Sequence, residues 1–319
     1  MARSGSVDYS LTAEDVLLEA FRLTGVIRSG GEPGVWDKAN GYQTLNLLLR
    51  RLANQGLYLH VLSEGHLFLV DGQESYDLGS GGDNATAENY VKTEIATAAD
   101  TGDSSIEVDS ITGISDTNII GVELDDGTVQ WTTANGAPSG STVTLTDALT
   151  DDAALDNHVY AYAASGQIEK PQRILTETIR VENEGGTEAP VRLISRAEYL
   201  RLPTKDSTGS VNQVYYDQQY GATGKLYVWP TASDVKSVLH FTFERPLQDV
   251  DTSSDNVDFP LAAHSMLTYA LALDLAPAYS HIVKPQQIML LKALRDEHLE
   301  DYLCRDSEEG SIFFQPRIG

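Results

Sequence analysis

The sequence is poor in cysteine, in basic residues and in long apolar runs. A single cysteine, Cys304, among 319 residues excludes an internal disulfide. It falls in a stretch of helical spacing and reads as a semi-buried apolar residue. Only 22 Lys and Arg stand against 47 Asp and Glu, a formal charge of −25. That balance argues against a grip on nucleic acid, which needs clustered cations to displace counterions. It argues equally against an anionic membrane surface. Solubility, a halophilic source, or an acidic wall past which DNA slides without sticking would each account for it. No apolar run approaches the roughly 18 residues that span a bilayer. The opening MARSG lacks the hydrophobic core of a signal peptide, so synthesis and assembly in a cytoplasm are expected.

Motifs for chemistry are also scarce. Seven histidines are scattered, at 60, 66, 158, 240, 264, 281 and 298, and none has the spacing of a zinc site. There is no phosphate-cradling glycine loop followed by Lys-Ser/Thr. Gly30 and Gly31 lie between two helical stretches and read as a turn. No Gly-x-Ser-x-Gly elbow occurs, and the acidic runs do not match a calcium loop. Carboxylates are so numerous that a glycosidase-like pair could be drawn anywhere, and nothing selects one. The expectation is a protein that is not an enzyme, with no catalytic, cofactor-binding or metal-ligating residues.

What the chain does have is an interruption. Residues 79–166 hold eleven Asp and four Glu against one base, Lys92, a net charge of −14. The stretch is rich in Thr, Ser, Gly and Ala and reads as short strands joined by turns. Residues 106–108, 119–124, 128–132 and 142–145 are strand candidates, with Asp125-Asp126-Gly127 as a hairpin turn. Residues 159–162 alternate and return the chain. On either side the pattern changes. A first helix begins near Leu11, with Thr12 as cap, Glu14 and Asp15 in its first turn and Gly25 as its stop. A second runs from about Trp36 to Gln55, with Tyr42, Leu45, Leu49 and Leu52 on one stripe. Residues 57–62 and 66–70 look extended.

After the insert, residues 174–181 predict a strand. Residues 191–194 lead into a short helix capped by Ser195, with Glu198 three positions on. Strand candidates follow at 215–216, 226–229 and 238–243. Pro260 opens a third long helix to about Leu275. Pro285 opens a fourth, with Ile288, Leu291 and Leu294 on one face.

Two groups stand out as contact candidates. Tyr215, Tyr216, Tyr220, Tyr227 and Trp229 crowd a short polar segment. They serve either strand packing or an intersubunit or tail contact, where Tyr and Trp are enriched. From about residue 307 the chain becomes a polar joint and then an apolar end: Ile312, Phe313, Phe314 and Ile318. Left free, that end would be a liability, so it either folds back on its own domain or docks on a neighbour.

The order of several segments resembles one known family. These are residues 16–27 (VLLEAFRLTGVI), 41–59 (GYQTLNLLLRRLANQGLYL), 194–202 (ISRAEYLRL), 213–217 (QVYYD), 224–230 (GKLYVWP), 243–247 (FERPL) and 258–276. Their succession is similar to the head-to-tail adaptors of short-tailed bacteriophages, also called tail accessory factors or packaged-DNA stabilisation proteins. The 79–166 insert departs from short members of that family. The resemblance implies a ring of twelve copies at the head–tail junction of the virion, beneath the portal. It implies a portal protein above, downstream nozzle or fibre-attachment proteins below, and genomic DNA passing without specific binding. It also makes Ile312, Phe313, Phe314 and Ile318 portal-docking candidates.

The expected fold class is α+β. Residues 1–78 and 167–319 form an antiparallel helical bundle frame with a small β portion, and residues 79–166 form an inserted acidic antiparallel β module. The expected function is a structural virion adaptor that extends the DNA channel. The alternatives are another ring or baseplate component of a phage tail, or a cell-wall polysaccharide hydrolase or binding protein of the virion.

Overall fold

The computed structural model describes residues 11–28, 30–53, 61–176 and 178–303. It divides the chain into two compact units. One is built from the chain up to Val61 together with the chain from Leu247 onward; the other is Leu62–Pro246.

The first unit is helical. Helix α1 is Ala13–Thr24, and Thr12 caps it in a reciprocal box with Asp15 before it stops at Gly25. Helix α2 is Val35–Ala53. Two later helices, His264–Leu275 and the long Pro285–Leu303, complete the unit and are α4 and α5 in chain order. Helix α4 is apolar almost all round, with eight buried residues, as befits a central helix. Leu17, Phe21, Leu45, Leu49, Leu267 and Leu271 meet in one core. Gly41 allows α2 to approach α1: a methyl group there would run into the Leu17 side chain. Asn46 clamps the chain that enters from the other end. Its amide donates to Val250 O at 3.0 Å and accepts from Val250 N at 2.9 Å. Arg50–Asp249 and Arg51–Asp274 add ion pairs at 2.7 and 2.8 Å.

The second unit is β. Its strands are β1 Leu62–Phe68, β2 Ser75–Gly79, β3 Ala85–Thr86, β4 Val91–Thr97, β5 Ser105–Val108, β6 Ile119–Glu123, β7 Val129–Thr133 and β8 Thr142–Thr144. They continue with β9 His158–Tyr162, β10 Arg173–Ile174, β11 Arg180–Glu182, β12 Glu188–Pro190 and β13 Arg192–Leu193. After the short helix α3, Arg196–Leu200, come β14 Gln213–Asp217, β15 Thr223–Trp229 and β16 Val238–Glu244. Three sheets result. The first runs β12-β11-β16-β1-β3, with β10 also on β16. The second runs β13-β14-β15-β2, and the third β7-β6-β9-β4-β5-β8.

The first sheet is covered on both faces. Side chains alternate along a strand, and β1 and β16 use the alternation twice. Leu67, Leu239, Phe241 and Phe243 enter a core shared with Tyr76, Val214, Leu226 and Val228 of the second sheet. Phe68 and Val238 point the other way, into a cluster with Tyr160 and Tyr162 of the third sheet. Phe68 lies 5.0 Å from Tyr160 and 5.1 Å from Trp131, ring centre to ring centre. The third sheet also has its own aliphatic core, including Ile95, Ile106, Ile120, Val122, Val143 and Val159.

The expected fold class is therefore corrected. The chain is not an antiparallel helical bundle frame with a small β portion. Sixteen strands in three sheets stand against five α-helices among the described residues. The physical reason is long-range pairing. Strand β1 pairs with β16, so Leu62 meets Glu244 across most of the chain, and local periodicity carries no trace of such a partner. The stretch 174–181, expected as one strand, is instead β10 and β11, which both pair with β16. The third sheet begins at Val91 and ends at Tyr162, inside the 79–166 stretch, whereas β3 pairs with β1 of the first sheet.

Candidate interaction surfaces

The crowded aromatics lie mainly on the second sheet. Strands β14 and β15 pair Tyr215 with Tyr227, Gln213 with Trp229 and Asp217 with Lys225. Tyr215, Tyr227 and Trp229 therefore share the outer face, while Val214, Tyr216, Leu226 and Val228 point inward. The Tyr215 and Tyr227 rings stack at 5.6 Å and 14°. Beside them on the same face, Lys225 forms an ion pair with Asp77 of β2 at 3.3 Å.

Helix α3 lays a third ring on this pair. Ser195 and Glu198 form its capping box, which fixes five residues of helix. Tyr199 then sits 5.6 Å from Tyr215 and 5.0 Å from Tyr227. Lys205 Nζ rests 5.5 Å above the Tyr199 ring, a cation–π geometry. The Trp229 indole N–H donates to Thr204 O at 2.7 Å. Burial raises the phenol pKa of both Tyr199 and Tyr215. The result is an aromatic ladder, buried at Tyr199 and half-buried at Tyr215 and Tyr227, with exposed Leu200 beside it.

The five aromatics that crowd together in the sequence thus separate in space, three ways. Tyr215, Tyr227 and Trp229 come together on one face. Tyr216 belongs to the inner face, where its hydroxyl donates to Pro171 O at 2.5 Å. Gly224 makes room for it, because a methyl group there would strike the Tyr216 hydroxyl. Tyr220 stands fully exposed in the β14–β15 turn. Sequence reasoning missed Tyr199. The signal was present: a capped helix of one turn must lay a residue four or so past its cap onto whatever it covers. The apolar end, Ile312, Phe313, Phe314 and Ile318, lies outside the described residues, as do Cys304 and His60.

A second surface belongs to the helical unit. Trp36 is 84% exposed at the start of α2, with Val35 beside it. On α5, Met289 is 73% exposed, next to exposed Leu290. Only Leu291 and Tyr302 of the nineteen residues of α5 are buried. A helix that buries so little of itself presents most of its surface outward.

The second unit also holds a titratable network. His66 of β1 and His240 of β16 face each other with their Nδ1 atoms 2.6 Å apart. His240 Nε2 donates to Glu182 at 3.1 Å, and Tyr90 donates to the same carboxylate at 3.3 Å. Burial, and then the neighbouring His240, push the His66 pKa down to about 4. One hydrogen is shared between the two Nδ1 atoms, and the chain of hydrogen bonds runs from His66 through His240 to Glu182. Among the described residues no cluster of three or more His, Cys, Asp or Glu could hold a metal ion. No described helix is long and apolar enough to cross a membrane.

No family model matches the sequence, and no curated protein matches it. Among solved structures, the chain is similar to the Gp54 tailspike of Acinetobacter baumannii bacteriophage AP22, solved with A. baumannii capsular saccharide. The identity is 14%, over 23% of this chain and 14% of the tailspike chain, with a TM-score of 0.20. The chain thus spans a small fraction of the tailspike's length, and a likeness of that extent says nothing of shared function.

Proposed function

We propose that the chain is a structural, non-enzymatic component of a bacteriophage virion: an adaptor that assembles as a ring and joins the portal to the tail. One observation carries this reading, the exposed apolar side chains of the helical unit. Single exposed hydrophobics are ordinary on a protein surface. Trp36 with Val35 on α2, and Met289 with Leu290 on α5, are instead adjacent pairs on helices. Burying one such side chain is worth about 1.5–3 kcal/mol, so pairs of them favour association. A closed ring needs two different faces on each protomer, and α2 and α5 offer two candidate faces.

The remaining parts of the reading rest on the resemblance of the segment order to head-to-tail adaptors. They are the copy number of twelve, the portal above, nozzle or fibre-attachment proteins below, and a place at the head–tail junction. The charge of −25 suits a channel past which genomic DNA moves without specific binding.

The test is assembly. The purified chain is mixed with portal rings and followed by sedimentation and electron cryomicroscopy. A ring on the portal is expected, and Trp36→Ser with Met289→Ser should abolish it while leaving the melting temperature within about 2 °C, the response of surface sites. Failure of the natural chain to join a portal ring, or unchanged assembly by the double variant, would overturn the reading.

A further inference from the structure

The four nitrogens of the His66–His240 pair have unequal uses. The two Nδ1 atoms, 2.6 Å apart, leave room for one hydrogen between them. His240 Nε2 carries a second, donated to Glu182 at 3.1 Å. A neutral pair holds only these two, so His66 Nε2 is the nitrogen left to take a proton. Charged and titratable groups face the ring from every neighbouring element. Glu64 stands on β1, Glu88 and Tyr90 on the connection from β3 to β4, Lys92 on β4, and Arg180 and Glu182 on β11. Glu188 of β12 pairs with Arg180 at 3.2 Å. In its present place the ring is poorly suited to a charge. It lies 5.2 Å from the Tyr90 ring, centre to centre. Burial works most strongly against the cation, and His240 and Arg180 add to it, while Glu64 and Glu182 work the other way. Glu182 is already engaged by Tyr90 at 3.3 Å and Lys92 at 3.9 Å.

A better place for a charged ring is next to it. An open cleft of about 460 Å³ is lined by His66 itself with Glu64, Ala87, Glu88 and Asn89. His66 pairs with Thr86 across β1 and β3, so the connection that carries Glu88 starts at its side. Thr86 fixes that connection: its hydroxyl accepts from Glu88 N at 3.1 Å and donates to Gly166 O at 2.9 Å. Glu64 and Glu88 are both exposed, and among the described residues neither forms an ion pair. Two carboxylates beside an imidazolium favour its charged form. A change of χ1 between staggered positions is enough to carry the ring from its β16 side toward its β3 side.

We infer that His66 is an acid-operated latch: neutral, its ring is bonded to His240 and packed on Tyr90; charged, it turns into the cleft between Glu64 and Glu88. The turn takes one ring contact from Tyr90, which keeps Phe68 at 5.3 Å and its hydrogen bond to Glu182. Tyr90 immediately precedes β4, the first strand of the third sheet in chain order. The part that loosens from the first sheet is therefore the start of β4. The latch does not depend on how the chain assembles.

The test labels the histidines of the full chain with nitrogen-15 and carbon-13 and follows long-range proton–nitrogen spectra from pH 7 to pH 4. At pH 7 one downfield hydrogen coupled to both Nδ1 atoms is expected. As the pH falls, His66 Nε2 should gain a hydrogen and the shared signal should vanish. Nuclear Overhauser contacts of the His66 ring should move from Tyr90 to the Ala87 methyl group. Glu64→Gln with Glu88→Gln should lower the midpoint of this change by about one pH unit. A charged His66 that keeps the shared hydrogen and its Tyr90 contacts would overturn the inference, as would an unchanged midpoint in the double variant. Two variants test the cleft at neutral pH, and they decide the matter should the chain unfold before His66 titrates. His66→Lys carries a permanent charge to the same position, and His66→Gln carries none. The lysine variant should melt about 2 °C or more above the glutamine variant, and Glu64→Gln with Glu88→Gln should remove the difference. Equal melting of the two single variants would mean that the cleft does not receive a cation, and the latch would be rejected.

Discussion

His66 and His240 meet Nδ1 to Nδ1 across the β1–β16 pair, at 2.6 Å, on the face of the first sheet that the third sheet covers. The pair is tied to Glu182 on β11, so three neighbouring strands share one proton network. Its charge state matters because His66 holds its proton weakly, at about 4 rather than 6.5. In the unfolded chain the ring protonates at its ordinary value. Between these two values the unfolded state binds more protons, so stability rises with pH there. The contribution of His66 is fully present above about pH 6.5. It is lost as the pH falls from there toward 4. After discounting for solvent screening, about 2 kcal/mol is at stake. Urea unfolding at pH 7 and pH 4.5 should show the natural chain losing that much more than a His66→Gln variant. An equal loss in both would mean that His66 does not titrate as described.

The seam between the first and third sheets is aromatic. Phe68 contacts Tyr90, Trp131, Tyr160 and Tyr162. Phe68→Ala removes a large side chain from a filled site and should cost about 3–5 kcal/mol. Chemical denaturation measures it, and near-ultraviolet circular dichroism should report the loss of order around Trp131.

Gly224 stands where the Tyr216 ring crosses β15. Gly224→Ala should push the ring from its place and break its hydrogen bond to Pro171. The expected cost is about 1–3 kcal/mol. Gly224→Ala combined with Tyr216→Leu should recover part of it, since the clash is then gone. A combined loss equal to the sum of the two would show that the crowding lies elsewhere.

The Tyr199–Tyr215–Tyr227 ladder can be weighed by a double-mutant cycle. Tyr199→Ala and Tyr215→Ala should be non-additive by about 0.5–1.5 kcal/mol, the worth of an aromatic pair beyond its buried area. Additive losses would mean that the rings are only near one another.

The helices are legible in the sequence because their signals are local. Thr12, Asp15 and Gly25 bracket α1, Ser195 and Glu198 fix α3, and Pro285 opens α5. Pro260 has the look of a first helical residue; it instead precedes a tight Leu261–Ala263 turn, and α4 proper begins at His264. In the acidic stretch, β5, β6, β7 and β8 fall within a residue or two of their expected places, and Leu124 to Thr128 close the β6–β7 hairpin. Strands β2, β4 and β12 are not evident from the sequence. Ser75, Asp77 and Glu188 are polar and at least partly exposed, and Lys92 and Glu94 share the face of Tyr160 and His158, so polar side chains mask a short alternation. The sheets themselves are not legible, since strand order is set by partners far away in the chain.

The site residues divide in the same way. Parity along β14 and β15 already separates Tyr215 and Tyr227 from Tyr216. The addition of Tyr199 needs the fold of α3 over the sheet. The His66–His240 pair joins positions 174 residues apart, and no motif links them.

The pairing of Leu62 with Glu244 carries a consequence for how the β unit could be cut out of this chain. The β unit begins and ends on neighbouring strands, so its two ends are about one strand spacing apart, some 5 Å. A segment with that property can enter or leave a host gene as a cassette, because the host needs only a short peptide to close the gap. Joining Val61 to Leu247 through a few glycines would leave the helical unit with its own core, and the excised 62–246 piece would carry its own core as well.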